Sequence, residues 1–105
     1  MSCYIPFEGS KYLKKAKELD FALSECLTNK IITVEVGFDL IAIRVKGKDE
    51  KNPFRHYGFR IHNNDNGGVI QALSPSGQLR EIQASLDDDC LSILSSIQDF
   101  LGRVK

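Results

Sequence analysis

The chain has 105 residues, 42% of them hydrophobic and 27% charged, with fourteen Lys+Arg against fourteen Asp+Glu. That is the size and composition of a single globular domain, residues 1–105, able to bury roughly two thirds of the surface its unfolded chain exposes. Zero net charge excludes a polyanion binder working by overall basic excess and leaves room for one local patch.

Cys3, Cys26 and Cys90 are odd in number and far apart, unlike a disulfide framework. The N-terminus lacks the apolar run of a signal peptide, and no stretch approaches the length of a membrane span, so the expectation is a cytoplasmic protein with no membrane partner.

Residues 1–9 read as an arm or a short edge strand, Cys3-Tyr4-Ile5. Ser10 is the expected N-cap of a first helix. Tyr12, Ala16, Leu19, Leu23, Cys26 and Leu27 recur on one face of that helix, with Asp20 intruding at its edge. The helix is expected to stop near Asn29, a residue tolerant of the left-handed conformation. Lys11, Lys14, Lys15 and Lys17 crowd its N-terminal turns, against the preference of the helix dipole. With Phe21, which points away from the apolar stripe, Lys11, Lys14 and Lys15 form a secondary candidate surface.

Ile31 to His62 carries the period-two pattern of strands. Ile32, Val34 and Val36 alternate with Thr33 and Glu35, and Ile41, Ile43 and Val45 alternate with Ala42, Arg44 and Lys46. A hairpin loop from Gly37 to Leu40 sets Val36 opposite Ile41, Val34 opposite Ile43 and Ile32 opposite Val45. A polar loop from Lys46 to Pro53 leads to Tyr57, Phe59 and Ile61, which alternate with His56, Gly58, Arg60 and His62. Asn63 to Gly68 is a turn, Val69 to Ser74 a fourth strand, Ser74 to Gly77 a second turn, and Gln78 to Gln83 a short fifth strand.

A final helix has a wide apolar stripe: Cys90, Leu91, Ile93, Leu94, Ile97, Phe100, Leu101 and Val104. Ser85 or Asp87 is its expected N-cap, with Asp87, Asp88 and Asp89 at its positive end and Arg103 and Lys105 at its negative end. Cys26 and Cys90, on the two apolar stripes, read as small buried hydrophobes. The order is α-β-β-β-β-(β)-α. It predicts an α+β two-layer sandwich, an antiparallel meander of four to five strands with both helices packed on one face.

No chemistry-bearing spacing emerges. His56 and His62 lie ~20 Å apart along one strand, too far to share an ion. There is no CxxC, GxSxG or P-loop, and consecutive aspartates at a helix start point in different directions. No metal, cofactor or catalytic residue is assigned, and a non-enzymatic role is expected. What stands out is the polar sheet face, which the register gives to Glu35, Arg44, Lys46, His56, Arg60 and His62 around Gly58, a gap in the side-chain layer. Arginines flanking histidines suit an acidic protein surface, so the expected function is a small binding module of inhibitor, immunity or adaptor type. Nucleic acid is the alternative ligand, though Tyr57 and Phe59 have the wrong parity to stack on bases. Exposed strand edges or Phe21 offer a route to a homo-oligomer.

Overall fold

A computed structural model of the chain describes residues 2–5, 7–52, 55–64, 67–84 and 89–103, with the side chains of residues 2, 3, 63, 64 and 67 left out. Its elements are β1 (Ser2–Ile5), α1 (Leu13–Cys26), β2 (Lys30–Val36), β3 (Leu40–Gly47), β4 (Tyr57–Asn64), β5 (Gly67–Leu73), β6 (Leu79–Gln83) and α2 (Cys90–Arg103). The fold is a mixed α+β fold: the described strands form one six-stranded sheet in the order β1-β2-β3-β4-β5-β6.

The expected antiparallel meander of four to five strands is therefore corrected in two respects. The segment read as an arm or edge strand is a strand, and it pairs with β2 in parallel, Tyr4 beside Val34. Parallel neighbours need a crossover connection, and α1 supplies it. The phenol of Tyr4 donates to the Leu13 carbonyl at 3.3 Å, tying β1 to the start of that helix. Burial pushes the Tyr4 phenol above its ordinary pKa, and the negative charge of Asp20 adds to the effect.

From β2 onward the ladder is antiparallel, and its register follows from side-chain parity. Val36 pairs with Ile41, Val34 with Ile43 and Ile32 with Val45, as the alternation predicts. Ile43 then faces Phe59, and Phe59 faces Ala72. All of these are buried, and they form one cluster with Ala16, Leu19 and Leu23 of α1 and Ile93, Leu94, Ile97 and Phe100 of α2. Both helices thus share a core with one face of the sheet. Phe100 meets Phe59 edge-on at 5.6 Å and Tyr57 at 6.3 Å, the favoured geometry for aromatic pairs.

Several expected boundaries shift. Ser10 does not cap α1; its hydroxyl accepts from the Tyr12 amide at 3.1 Å in a turn that precedes the helix. The N-cap position is Tyr12, which makes no side-chain cap. The helix stops at Cys26 with Leu27 as C-cap, short of Asn29, and among the described residues only Gly77 has positive φ. Cys26 is exposed, because Leu27 takes the core contact at that end. Cys90 is only partly buried, and Leu91 is 73% exposed. Leu91 lies about half a turn around α2 from Phe100, so the apolar stripe is narrower than its composition suggests.

Asp89 caps α2, with a carboxylate oxygen 3.1 Å from the Ser92 amide. Ser85, Asp87, Asp88, Val104 and Lys105 lie outside the described residues, as do Pro6, Pro53, Asp65 and Asn66. The expected turn from Asn63 to Gly68 is mostly ladder, since Asn63 pairs with Gly68 and Asn64 with Gly67. Gly77, at φ 92°, needs to be glycine. Its amide donates to the Ser74 carbonyl, and the Ser74 hydroxyl accepts from the Gln78 amide at 3.0 Å, which closes the turn into β6.

Phe59→Ala removes a fully buried ring and its Phe100 contact, so it should cost about 3–5 kcal/mol, a large share of the roughly 5–15 kcal/mol typical of a domain. Urea denaturation measures it. A loss below about 1 kcal/mol would mean that Phe59 is not at the centre of the core.

Candidate functional site

The face of the sheet opposite the helices carries the odd-parity residues of β2 and β5 and the even-parity residues of β3 and β4. Register orders them into rows. One row runs Thr33, Arg44, Gly58, Leu73, Leu79 across β2 to β6. The next runs Glu35, Ala42, Arg60, Gln71, Glu81, with Ile5 of β1 beside Glu35. Between the rows lies a depression of about 460 Å³, lined by Glu35, Ala42, Arg44, His56, Gly58, Phe59, Arg60, Gln71, Leu73 and Leu79.

Of the residues expected on this face, Glu35, Arg44, His56 and Arg60 come together around the depression. His62 pairs with Leu40 and Val69 in a further row, and Lys46 pairs with Ile31. Lys46 instead lines a separate recess of about 970 Å³ at the end of the sheet, with Lys30, Lys48, Glu50, Arg55 and Tyr57. There the Glu50 carboxylate accepts from the Asn52 amide at 3.0 Å and pairs with Arg55 at 3.5 Å. Glu50, Asn52 and Arg55 are thus engaged in shaping the loop, while Lys30, Lys46 and Lys48 add positive charge around the recess.

The two arginines of the depression differ. Arg44 pairs with Glu35 diagonally across the β2–β3 ladder, and both side chains are about half exposed. An exposed pair of this kind contributes roughly 0–1 kcal/mol and neutralises the local field. Arg60 lies between Ala42 and Gln71, and its guanidinium makes no ion pair or hydrogen bond among the described residues. Among the described residues, Arg60 is thus the one cation lining the depression that has no acidic partner. Leu73 and Leu79, paired in register and 40% and 66% exposed, add an apolar wall that alternation in β2 to β4 does not reveal.

Gly58 is the floor. Its φ is not positive, and a Cβ there would sit 4.0 Å from both the His56 ring and the Leu73 Cβ, an ordinary contact distance. Neither backbone conformation nor crowding demands glycine at this mid-strand position. Its effect is to keep the depression open, at some cost in strand stability.

The secondary surface on α1 is less coherent. Lys14 and Phe21 are exposed, Phe21 by 69%. Lys11 precedes the helix, with its ammonium 5.6 Å from the Tyr12 ring centre. Lys15 is partly buried and acts on the thiol of Cys90, the first residue of α2. Burial pushes that thiol above its ordinary pKa; Glu18 and Asp89 reinforce the shift and Lys15 opposes it. The Cys3 side chain lies outside the described residues. Among the described residues no three His, Cys, Asp or Glu gather at metal-binding distance, and no helix is long and apolar enough to cross a membrane.

Gly58→Ala should raise stability by about 0.5–1 kcal/mol, read as a higher thermal midpoint, because it removes glycine's backbone freedom without a clash. A lower midpoint would show that the backbone does require glycine. In iodoacetamide labelling followed by peptide mass spectrometry near pH 7.5, exposed Cys26 should react before Cys90, and Cys90 should gain rate only at higher pH. Equal rates would contradict the depressed thiolate population at Cys90.

Compared with family models, curated proteins and solved structures, the chain gives no match, so the geometry above carries the functional reading.

Proposed function

We propose that the chain is a non-catalytic binding module that docks a protein partner on the open face of its sheet, centred on Arg60 and the depression over Gly58. The observation that carries this reading is a guanidinium without a partner among the described residues, beside a depression that Gly58 holds open and Leu73 and Leu79 wall. Interface centres favour a desolvated apolar contact flanked by a charge that finds its complement on the partner. A cation of this kind fits an acidic group there and fixes register as well as speeding encounter. An inhibitor, an immunity-type protein or an adaptor suits such a surface, and a cytoplasmic setting suits the thiol usage.

Nucleic acid fits this face less well. Among its described residues no phenylalanine, tyrosine or tryptophan projects from this face to stack on bases, and Glu35 and Glu81 oppose a phosphate backbone.

Arg60→Glu should weaken binding of a co-purifying partner about tenfold or more, by calorimetry at moderate salt, while Phe21→Ser leaves it unchanged. Unchanged binding by Arg60→Glu with loss by Phe21→Ser would move the docking surface to α1. An oligonucleotide complex that dissolves steeply with salt would favour nucleic acid instead.

A further inference from the structure

We infer that the Gly58 depression receives one large apolar or aromatic side chain from an extended partner segment that also presents a carboxylate to Arg60. This rests on the docking role of the open face and adds the chemistry of what docks there.

Shape comes first. Of the row Thr33, Arg44, Gly58, Leu73, Leu79, only Gly58 contributes no side chain, so the row has a gap one residue wide between an arginine and a leucine. Small Ala42 stands in the adjoining row, so the gap extends sideways. The gap is walled by the exposed Leu73 and Leu79 and by the His56 ring, which lies 4.0 Å from where a Gly58 Cβ would be. On the side walled by Leu73 and Leu79, poorly held water is displaced favourably by an apolar group. The surrounding aliphatic and imidazole surfaces suit a ring.

Charge comes second. Arg44 is already compensated by Glu35, whereas Arg60 has no such partner among the described residues. Gly58 and Arg60 are two residues apart on β4 and face the same way, about 7 Å from each other. In an extended segment, residues i and i+2 share one side at the same spacing. A ring at i and a carboxylate at i+2 therefore meet the notch and the guanidinium together. A planar guanidinium takes a carboxylate through paired hydrogen bonds, a geometry that a lone apolar contact does not provide.

The test is an amide chemical-shift titration of the intact chain with acetyl-Phe-Ala-Glu-amide. Controls are the same peptide with Gln for Glu and with Ala for Phe. The expected result is shifts centred on Gly58, Arg60 and Leu73 with a dissociation constant on the order of 1 mM. Loss of the ring, loss of the carboxylate, Gly58→Val and Arg60→Gln should each weaken it at least about fivefold. Gly58→Val projects from the open face, so its amide spectrum should otherwise match that of the parent chain. If Arg60→Gln weakens binding of the peptide and of a co-purifying partner but Gly58→Val weakens neither, the notch is not occupied. Docking on the face then stands as charge-led and the inference falls. If neither substitution changes either affinity, the inference and the docking role both fall. A concentration-dependent dimer of the parent chain that Gly58→Val abolishes would assign the notch to a second copy and overturn the inference.

Discussion

The structure depends on side-chain parity, held in register across adjacent strands. Tyr4, Val34, Ile43, Phe59 and Ala72 stand in a continuous row from β1 to β5, and from Val34 onward every member is buried against the helices. A slip of one residue in β3 would turn Arg44 into that core and Ile43 out to solvent. Burying an unpaired guanidinium costs far more than any single contact on the open face returns. The alternation that protects the core therefore also fixes which residues meet on the other side. Arg44, Gly58 and Leu73 are neighbours there because Ile43, Phe59 and Ala72 are neighbours within.

That dependence explains what could be read in the residues. The faces of β2, β3 and β4 and the β2–β3 pairing are visible in a strict two-residue period, since one side is apolar and the other polar. The parallel pairing of β1 is not, because it joins segments about thirty residues apart through a helix and leaves no local pattern. Cys26 and Leu91 fail for a related reason: helical periodicity places them near an apolar stripe, but where α1 stops and how α2 rolls decide what is covered. Asp89 caps α2 although Ser85 and Asp87 offer the same chemistry in sequence, because the first hydrogen-bonded turn begins one residue later, at Cys90.

The candidate site was half legible. Glu35, Arg44, His56 and Arg60 share the open face as parity requires, and the gap at Gly58 is visible as a glycine inside a strong strand. Leu73 and Leu79 were missed because the open face of β5 sets apolar Val69 and Leu73 around Gln71, and β6 is short and mostly exposed. Symmetric pairing about the expected turn from Ser74 to Gly77 would set Leu73 opposite Gln78; the loop runs one residue further, through Gln78, and Leu73 pairs with Leu79. Their presence changes the character of the surface. A face expected to act through net positive charge instead combines one compensated arginine, one without a described partner, and an apolar notch. On the proposed docking reading, recognition there would rest on shape and a single ion pair rather than on a basic field.

Hydroxyl-radical footprinting of the chain with and without a co-purifying partner tests the central claim most directly. It compares leucines of the open face with exposed apolar groups elsewhere. The account predicts that Leu73 and Leu79 lose reactivity in the complex while Phe21 and Leu91 keep theirs. Protection of Phe21 or Leu91 with Leu73 and Leu79 unchanged would contradict it and assign docking to the helical side.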